Sequence, residues 1–210
     1  MGAWYLVRHG ETDWNRTARI QGHSDVPLNE RGRRQANMLA KRLAGCKFSL
    51  VYSSDLSRAT ETARAIVEGS GMLIETDQDL REFSYGEWEG LTLEEVESRY
   101  PTALAERIGM GNSAFATPGG EDTAGVLDRV RRFHTKAEKL HNTDENILIV
   151  AHGGSLRALL ICLLGLPDDY FWSFRVDCGS LSIIGNQPGG CILEIWNDTS
   201  HLTSEEPVTD

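Results

Sequence analysis

The sequence predicts an α/β fold, a three-layer sandwich with a mostly parallel central sheet flanked by helices and a small helical cap inserted within it. Three observations lead there. Apolar, partly β-branched runs alternate with helical periodicities over the first third of the chain. Two apolar runs far apart in the chain end in the same dipeptide, in Val7-Arg8-His9-Gly10 and Val150-Ala151-His152-Gly153. The alternation lapses from about residue 80 to 145, where short helical pieces are punctuated by Pro101 and Pro118-Gly119-Gly120.

Taken in order, residues 3–8 read as a first strand. Residues 29–44 read as a helix, with Asn29 as cap and Ala36, Leu39, Ala40 and Leu43 on one face. Phe48–Tyr52 is a second strand closing at Ser53-Ser54-Asp55, and the helix after it buries Leu56, Ala59, Ala63, Ile66 and Val67. Gly69-Ser70-Gly71 ends that helix and Leu73-Ile74 begin a third strand. The cap is expected over about 83–145: a helix at 92–100, a break at Pro101, and a long helix over 121–141 with Val126, Val130 and Phe133 on one side. Asn146–Ala151 is the clearest buried strand and feeds a Leu-rich helix; late strands are expected at 173–177, 180–185 and 191–196. The whole, 1–210, is one domain.

Composition narrows the function. Net charge is −10, from 21 basic and 31 acidic residues, which argues against a broad nucleic-acid or anionic-membrane surface. Of the basic residues 17 are Arg and 4 are Lys, and Arg is suited to holding one anion by two parallel hydrogen bonds. No apolar run nears the roughly eighteen residues of a membrane span, and MGAWYLVRHGE lacks the pattern of a signal peptide, so a cytoplasmic protein is expected. Cys46, Cys162, Cys178 and Cys191 show no CxxC spacing and are expected as buried, reduced thiols.

Ligands of open α/β sheets bind beyond the carboxyl ends of the strands. Parallel strands would place Arg8, His9 and His152 at that edge, with Arg58 in the first turn of the helix after Ser53-Ser54-Asp55. Alone, each is more ordinarily a structural or surface residue. Together, two guanidiniums and two imidazoles repel one another unless an anion sits among them, and a tetrahedral phosphoryl group fits. A zinc site would use the same histidines, but HExxH is absent and the arginines oppose a cation. GxSxG and GxxxxGK are absent as well.

Leu6-Val-Arg-His-Gly-Glu-Thr12, Asn15, Gln21-Gly22, Pro27-Leu28, Ser53-Ser54-Asp55-Leu56, Arg58-Ala59, Leu80-Arg81-Glu82, Gly86-Glu-Trp-Glu-Gly90, Pro118-Gly-Gly-Glu121 and Ala151-His-Gly-Gly154 together resemble the histidine phosphatase superfamily, in its phosphoglycerate-mutase-like branch. The resemblance implies that His9 is a nucleophile that becomes phosphohistidine. Arg8, Arg58 and His152 would hold the phosphoryl oxygens, and Glu82 would act as general acid and then base. Asn15, Gln21, Gly22 and the Gly153 backbone would complete the cradle, with no metal and no cofactor. His9 must be neutral to attack, and flanking Arg charges disfavour its protonation. The partner implied is a small phosphorylated metabolite, with no nucleic acid and no membrane; a homodimer is left open.

Mutases of the family carry a longer insertion after the glutamate motif, with extra basic residues. Here the stretch from Glu82 to His152 is short and rich in acid, with Arg99 and Arg107 as early cations and Arg129-Arg131-Arg132 on a helix face read as solvated. The function expected is therefore a phosphomonoesterase. The alternatives are a 2,3-bisphosphoglycerate-dependent phosphoglycerate mutase and a non-catalytic phospho-ligand binder. The segments Asp168–Phe174 and Trp196–Leu202 look like alpha-ribazole phosphatases and metal-independent phosphoserine phosphatases of the family, apart from Cys178-Gly179-Ser180 where those relatives often carry Asn first. Tyr85, Trp88, Phe115 and His201 are candidates for a specificity pocket or for cap core.

Overall fold

The structure, a computed structural model, describes residues 1–109 and 116–202. Six strands, β1 (Ala3–Arg8), β2 (Leu50–Ser53), β3 (Ile74–Thr76), β4 (Ile147–Ala151), β5 (Leu181–Gln187) and β6 (Gly190–Asp198), form one sheet in the order β3-β2-β4-β1-β5-β6. The first four are parallel, and β5 and β6 close the far side as an antiparallel hairpin. β4 lies at the centre because all five of its residues are apolar and buried, as a strand covered on both faces requires.

Strand periodicity sorts the core into two halves. Leu6, Ile147 and Ile149 face one side, where they meet Val130 and Phe133 of helix α6 (Thr123–Leu140) and Leu159 of α7 (Gly153–Leu164). Val7, Leu148 and Val150 face the other, against Leu39 of α2 (Glu30–Arg42) and Ala59 of α3 (Ser57–Val67). Asn29 caps α2 as expected, accepting from the Gly32 amide at 2.8 Å. Gly165 ends α7 at φ +61°, a left-handed turn that favours glycine. The three expected layers are thus present.

Two local expectations differ from what is seen. The long helix expected inside the cap, α6, instead supplies one of the two outer layers, since Val126, Leu127, Val130, Phe133 and Ala137 are all buried in the core. Among the described residues, the parts of this stretch that reach the cavity are the short turn Gly86–Trp88, α4 (Leu93–Arg99) and α5 (Pro101–Gly109), with Tyr85 before them. Pro101 separates two helices there, as expected, since α4 ends at Arg99. It opens α5 as its first residue, where its missing N–H costs nothing. No strand forms over 173–177, because side chains claim its carbonyls: Arg157 takes that of Phe174 (2.7 Å), Trp196 that of Arg175 (2.8 Å) and Arg8 that of Val176 (2.6 Å). The cysteines are free, as expected, but half-buried. Among the described residues no helix is long and apolar enough to cross a membrane. Phe115 lies outside the described residues.

Candidate active site

The register pairs Arg8 with Ala151 and Ser53 with Val150, so β1, β2 and β4 end level and deliver His9, Ser54 and His152 to one edge. A cavity of about 430 Å³ opens there, lined by Arg8, His9, Arg58 and Glu82 at its base. Its outer wall is mainly apolar, made by Ile20, Tyr85, Trp88, Leu93 and Leu104.

The His9 amide donates to the Ala151 carbonyl at 3.0 Å, which ties the end of β1 to β4. Its ring Nδ1 lies 2.7 Å from the Gly10 carbonyl. A carbonyl only accepts, so Nδ1 carries the proton and the lone pair is left on Nε2. Burial, then Arg58 and Arg8, hold the imidazole well below its ordinary range.

Arg58, in the first turn of α3, is fully buried. It donates through Nε to His152 Nδ1 (3.2 Å), through Nη1 to the Ser24 carbonyl (2.8 Å) and through Nη2 to the Gly22 carbonyl (2.8 Å). Burial pulls its pKa down to about 10, so it stays charged at neutral pH. Gly22 adopts φ +53°, a geometry that glycine takes without strain and that presents its carbonyl to Arg58. Because His152 Nδ1 accepts, its Nε2 bears the hydrogen of the neutral ring. That N–H and Arg8 Nε are buried with no partner among the described residues. Both point to an acceptor outside the protein, a role that phosphoryl oxygens suit. His9 and His152 stand with ring centroids 5.0 Å apart, and burial, then Arg58, also hold His152 well below its ordinary range.

Two buried imidazoles that stay neutral link stability to pH. In the unfolded chain both take up protons as pH falls through about 6.5, while the folded chain does not bind them until much lower pH. Stability is therefore fully present above about pH 6.5 and is lost as pH falls toward the folded values, with a slope approaching about 2.7 kcal/mol per pH unit for the pair. Urea unfolding at a series of pH values from about 7.5 to 5 measures this. An unfolding free energy that stays flat across that range would contradict two buried neutral imidazoles.

Glu82 follows a 3₁₀ turn, Gln78–Leu80, and extends over the N-terminus of α7. Its Oε1 accepts from the amides of Phe83 and Gly154, both at 2.8 Å, and no hydrogen bond engages Oε2 among the described residues. A Cβ on Gly154 would lie 2.5 Å from Oε1, so a larger residue would push the carboxylate aside. Gly153, the first residue of α7, brings the amide end of a 12-residue helix to the site. Asn15 and Gln21 also line the cavity, and their side-chain oxygens share the single Thr12 hydroxyl hydrogen, each at 3.0 Å.

Seven of the nine residues expected at the site line this cavity, and the other two adjoin it, His152 beside His9 and Gly153 beside Glu82. Tyr85 and Trp88 line the same cavity, whereas His201 does not reach it. His201 instead meets the Gly179 carbonyl at 3.0 Å, behind the loop whose amide donates to the carbonyls of Arg8 and His9. Two residues were missed. Glu89 accepts from the amides of His23 (2.9 Å) and Ser24 (2.8 Å), which folds the 22–24 loop so that its carbonyls meet Arg58. Arg129, expected on a solvated face, is 7% exposed and bound to the backbone around Glu82, because the carbonyls there have no regular partners. Among the described residues no group of three or more His, Cys, Asp or Glu gathers as a metal-ligating set.

This site, on this sheet, is the arrangement found in a known class of phosphoryl-transfer proteins. The family model of the histidine phosphatase superfamily (branch 1) matches residues 4–199, and the chain belongs to that superfamily. It is 34% identical over 197 residues to Phosphoserine phosphatase 1 of Hydrogenobacter thermophilus, covering 94% of this chain and 92% of that one. It is 36% identical over 205 residues to the Probable phosphoglycerate mutase GpmB of Yersinia pestis, covering 94% of each. The crystal structure of the alpha-ribazole phosphatase from Shigella flexneri superposes with a TM-score of 0.87 at 31% identity, covering 93% of this chain and 96% of that one. Family and structural neighbours support a phosphomonoesterase activity in general. The near-equal coverage of GpmB also corrects one expectation: chain length does not separate this protein from a relative named as a mutase.

Proposed function

We propose that the chain hydrolyses a small phosphorylated metabolite, without a metal, through a phosphohistidine on His9, with Glu82 as general acid and then base. The observation that carries this is the His9 ring, whose Nδ1 is committed to the Gly10 carbonyl so that Nε2 is a free lone pair beside two arginines. In the first step His9 Nε2 attacks phosphorus, the ester P–O bond breaks, and the departing alkoxide takes a proton from Glu82 Oε2. Arg8, Arg58 and His152 stabilise the equatorial oxygens of a loose, in-line transition state. In the second step Glu82 removes a proton from water, the water oxygen attacks phosphorus and the P–N bond breaks. Phosphate leaves and His9 returns to neutral.

The outer wall favours hydrolysis over mutase chemistry. A mutase retains a doubly anionic intermediate while it turns over, which calls for a second set of cations. The cation lining that wall among the described residues is Arg19, and it is already held by Glu95 and the Gly90 carbonyl at 2.8 and 2.7 Å. The likeness to GpmB keeps phosphoglycerate mutase as the second reading. Both are tested with a panel of small phosphomonoesters, phosphoserine and alpha-ribazole 5′-phosphate among them, in the presence of EDTA. Release of inorganic phosphate at the same rate with and without chelator is the expected result. Loss of turnover on chelation would sink the metal-free mechanism, and interconversion of phosphoglycerates without phosphate release would replace hydrolysis by the mutase.

A further inference from the structure

The segment carrying Glu82 has no sheet or helix to hold it beyond the Gln78–Leu80 turn, so its backbone groups need partners from elsewhere. Arg129, seven residues into α6, provides them. Its Nη1 donates to the carbonyls of Asp79 (2.8 Å) and Arg81 (2.6 Å), and its Nη2 to the carbonyl of Glu82 (2.9 Å). The remaining hydrogens of Nη2 and Nε go to the two carboxylate oxygens of Glu121, at 2.8 and 3.2 Å. All five N–H groups of the guanidinium are therefore in use. Glu121 Oε1 accepts in addition from the Ser84 amide at 2.8 Å. One ion pair, buried at Arg129 and partly exposed at Glu121, thus grips the main chain on both sides of Glu82.

We infer that Arg129 and Glu121 are positioning residues for the general acid: they fix the backbone from which Glu82 extends, so that Oε2 stands where the leaving oxygen needs a proton. The inference rests on the proposed role of Glu82 and goes beyond it by naming what sets its placement. Neither residue lines the cavity. A Lys at 129 keeps the charge but offers three hydrogens from a single nitrogen, too few to hold the acceptors that the planar fork spans. A shift of about 1 Å in a catalytic group costs on the order of a hundredfold in rate, and in the first step, which kcat/KM reads, the cost falls only on substrates that need the proton.

The test compares kcat/KM for an alkyl phosphate with that for p-nitrophenyl phosphate, whose phenolate leaves without protonation. The variants are Arg129→Lys and Glu121→Gln, and Glu82→Gln is the reference. Expected is a loss of about tenfold or more on the alkyl ester and less than about threefold on the aryl ester, in the same sense as Glu82→Gln. Glu121→Gln retains an acceptor for the Ser84 amide and carries the test if Arg129→Lys does not fold. Equal losses on both esters, or none, in a folded variant would overturn the positioning role while Glu82→Gln remained selective. If Glu82→Gln were itself unselective, the acid assignment would fall first and this inference with it.

Discussion

His9→Ala abolishes turnover, by on the order of 10⁴-fold or more, and leaves a folded protein. The size follows from covalent catalysis, because without Nε2 no nucleophile remains among the cradle donors and water must attack directly. Retention of the fold follows from the contacts of the side chain. Among the described residues its side-chain hydrogen bond is to the adjacent Gly10 carbonyl, and the bond that ties β1 to β4 is made by the His9 main chain, which Ala keeps. Alanine also removes an imidazole whose protonation is opposed by burial and then by Arg58 and Arg8. Acid-labile phosphate trapped on the wild-type chain during turnover, and absent from the variant, is the direct measurement. Turnover retained by His9→Ala would assign the nucleophile elsewhere.

Glu82→Gln divides substrates by leaving group. The amide keeps an oxygen where Oε1 accepts from Phe83 and Gly154, so the local backbone is undisturbed, but it has no acidic proton to give. For alkyl phosphates kcat/KM should fall by about 10²–10⁴. For p-nitrophenyl phosphate it should change by less than about tenfold, since the first step needs no acid. The second step still lacks its base, so the variant should show a burst of nitrophenol and accumulate phosphoenzyme. Equal loss on both substrates, without a burst, would remove Glu82 from the acid role.

The parts of the site that could be foreseen are those placed by strand ends. Arg8, His9 and His152 close apolar runs, and parallel pairing then forces them to one edge. Arg58 follows from the helix that begins just after β2. What escaped depends on bonds to main-chain oxygen across long separations. Arg129 reaches carbonyls about fifty residues away, and side-chain periodicity on its helix says nothing of that. The same blindness produced the strand expected over 173–177. Its composition is β-like, but its carbonyls are spent on Arg157, Trp196 and Arg8. Glu89 sat within a recognised motif, yet its work is to bend a loop 65 residues earlier in the chain, which no local pattern records.

Arg58 and Arg8 are tethered by the main-chain oxygens of Gly22, Ser24 and Val176 and by one imidazole. Every amino acid offers the same carbonyl, so replacing the side chain of Val176 leaves its tether in place. Inserting or deleting a residue in either loop would carry the oxygens out of reach. At Val176 the anion cradle is in this sense guarded by loop length rather than by residue identity, whereas Gly22 is held to glycine by its own backbone geometry.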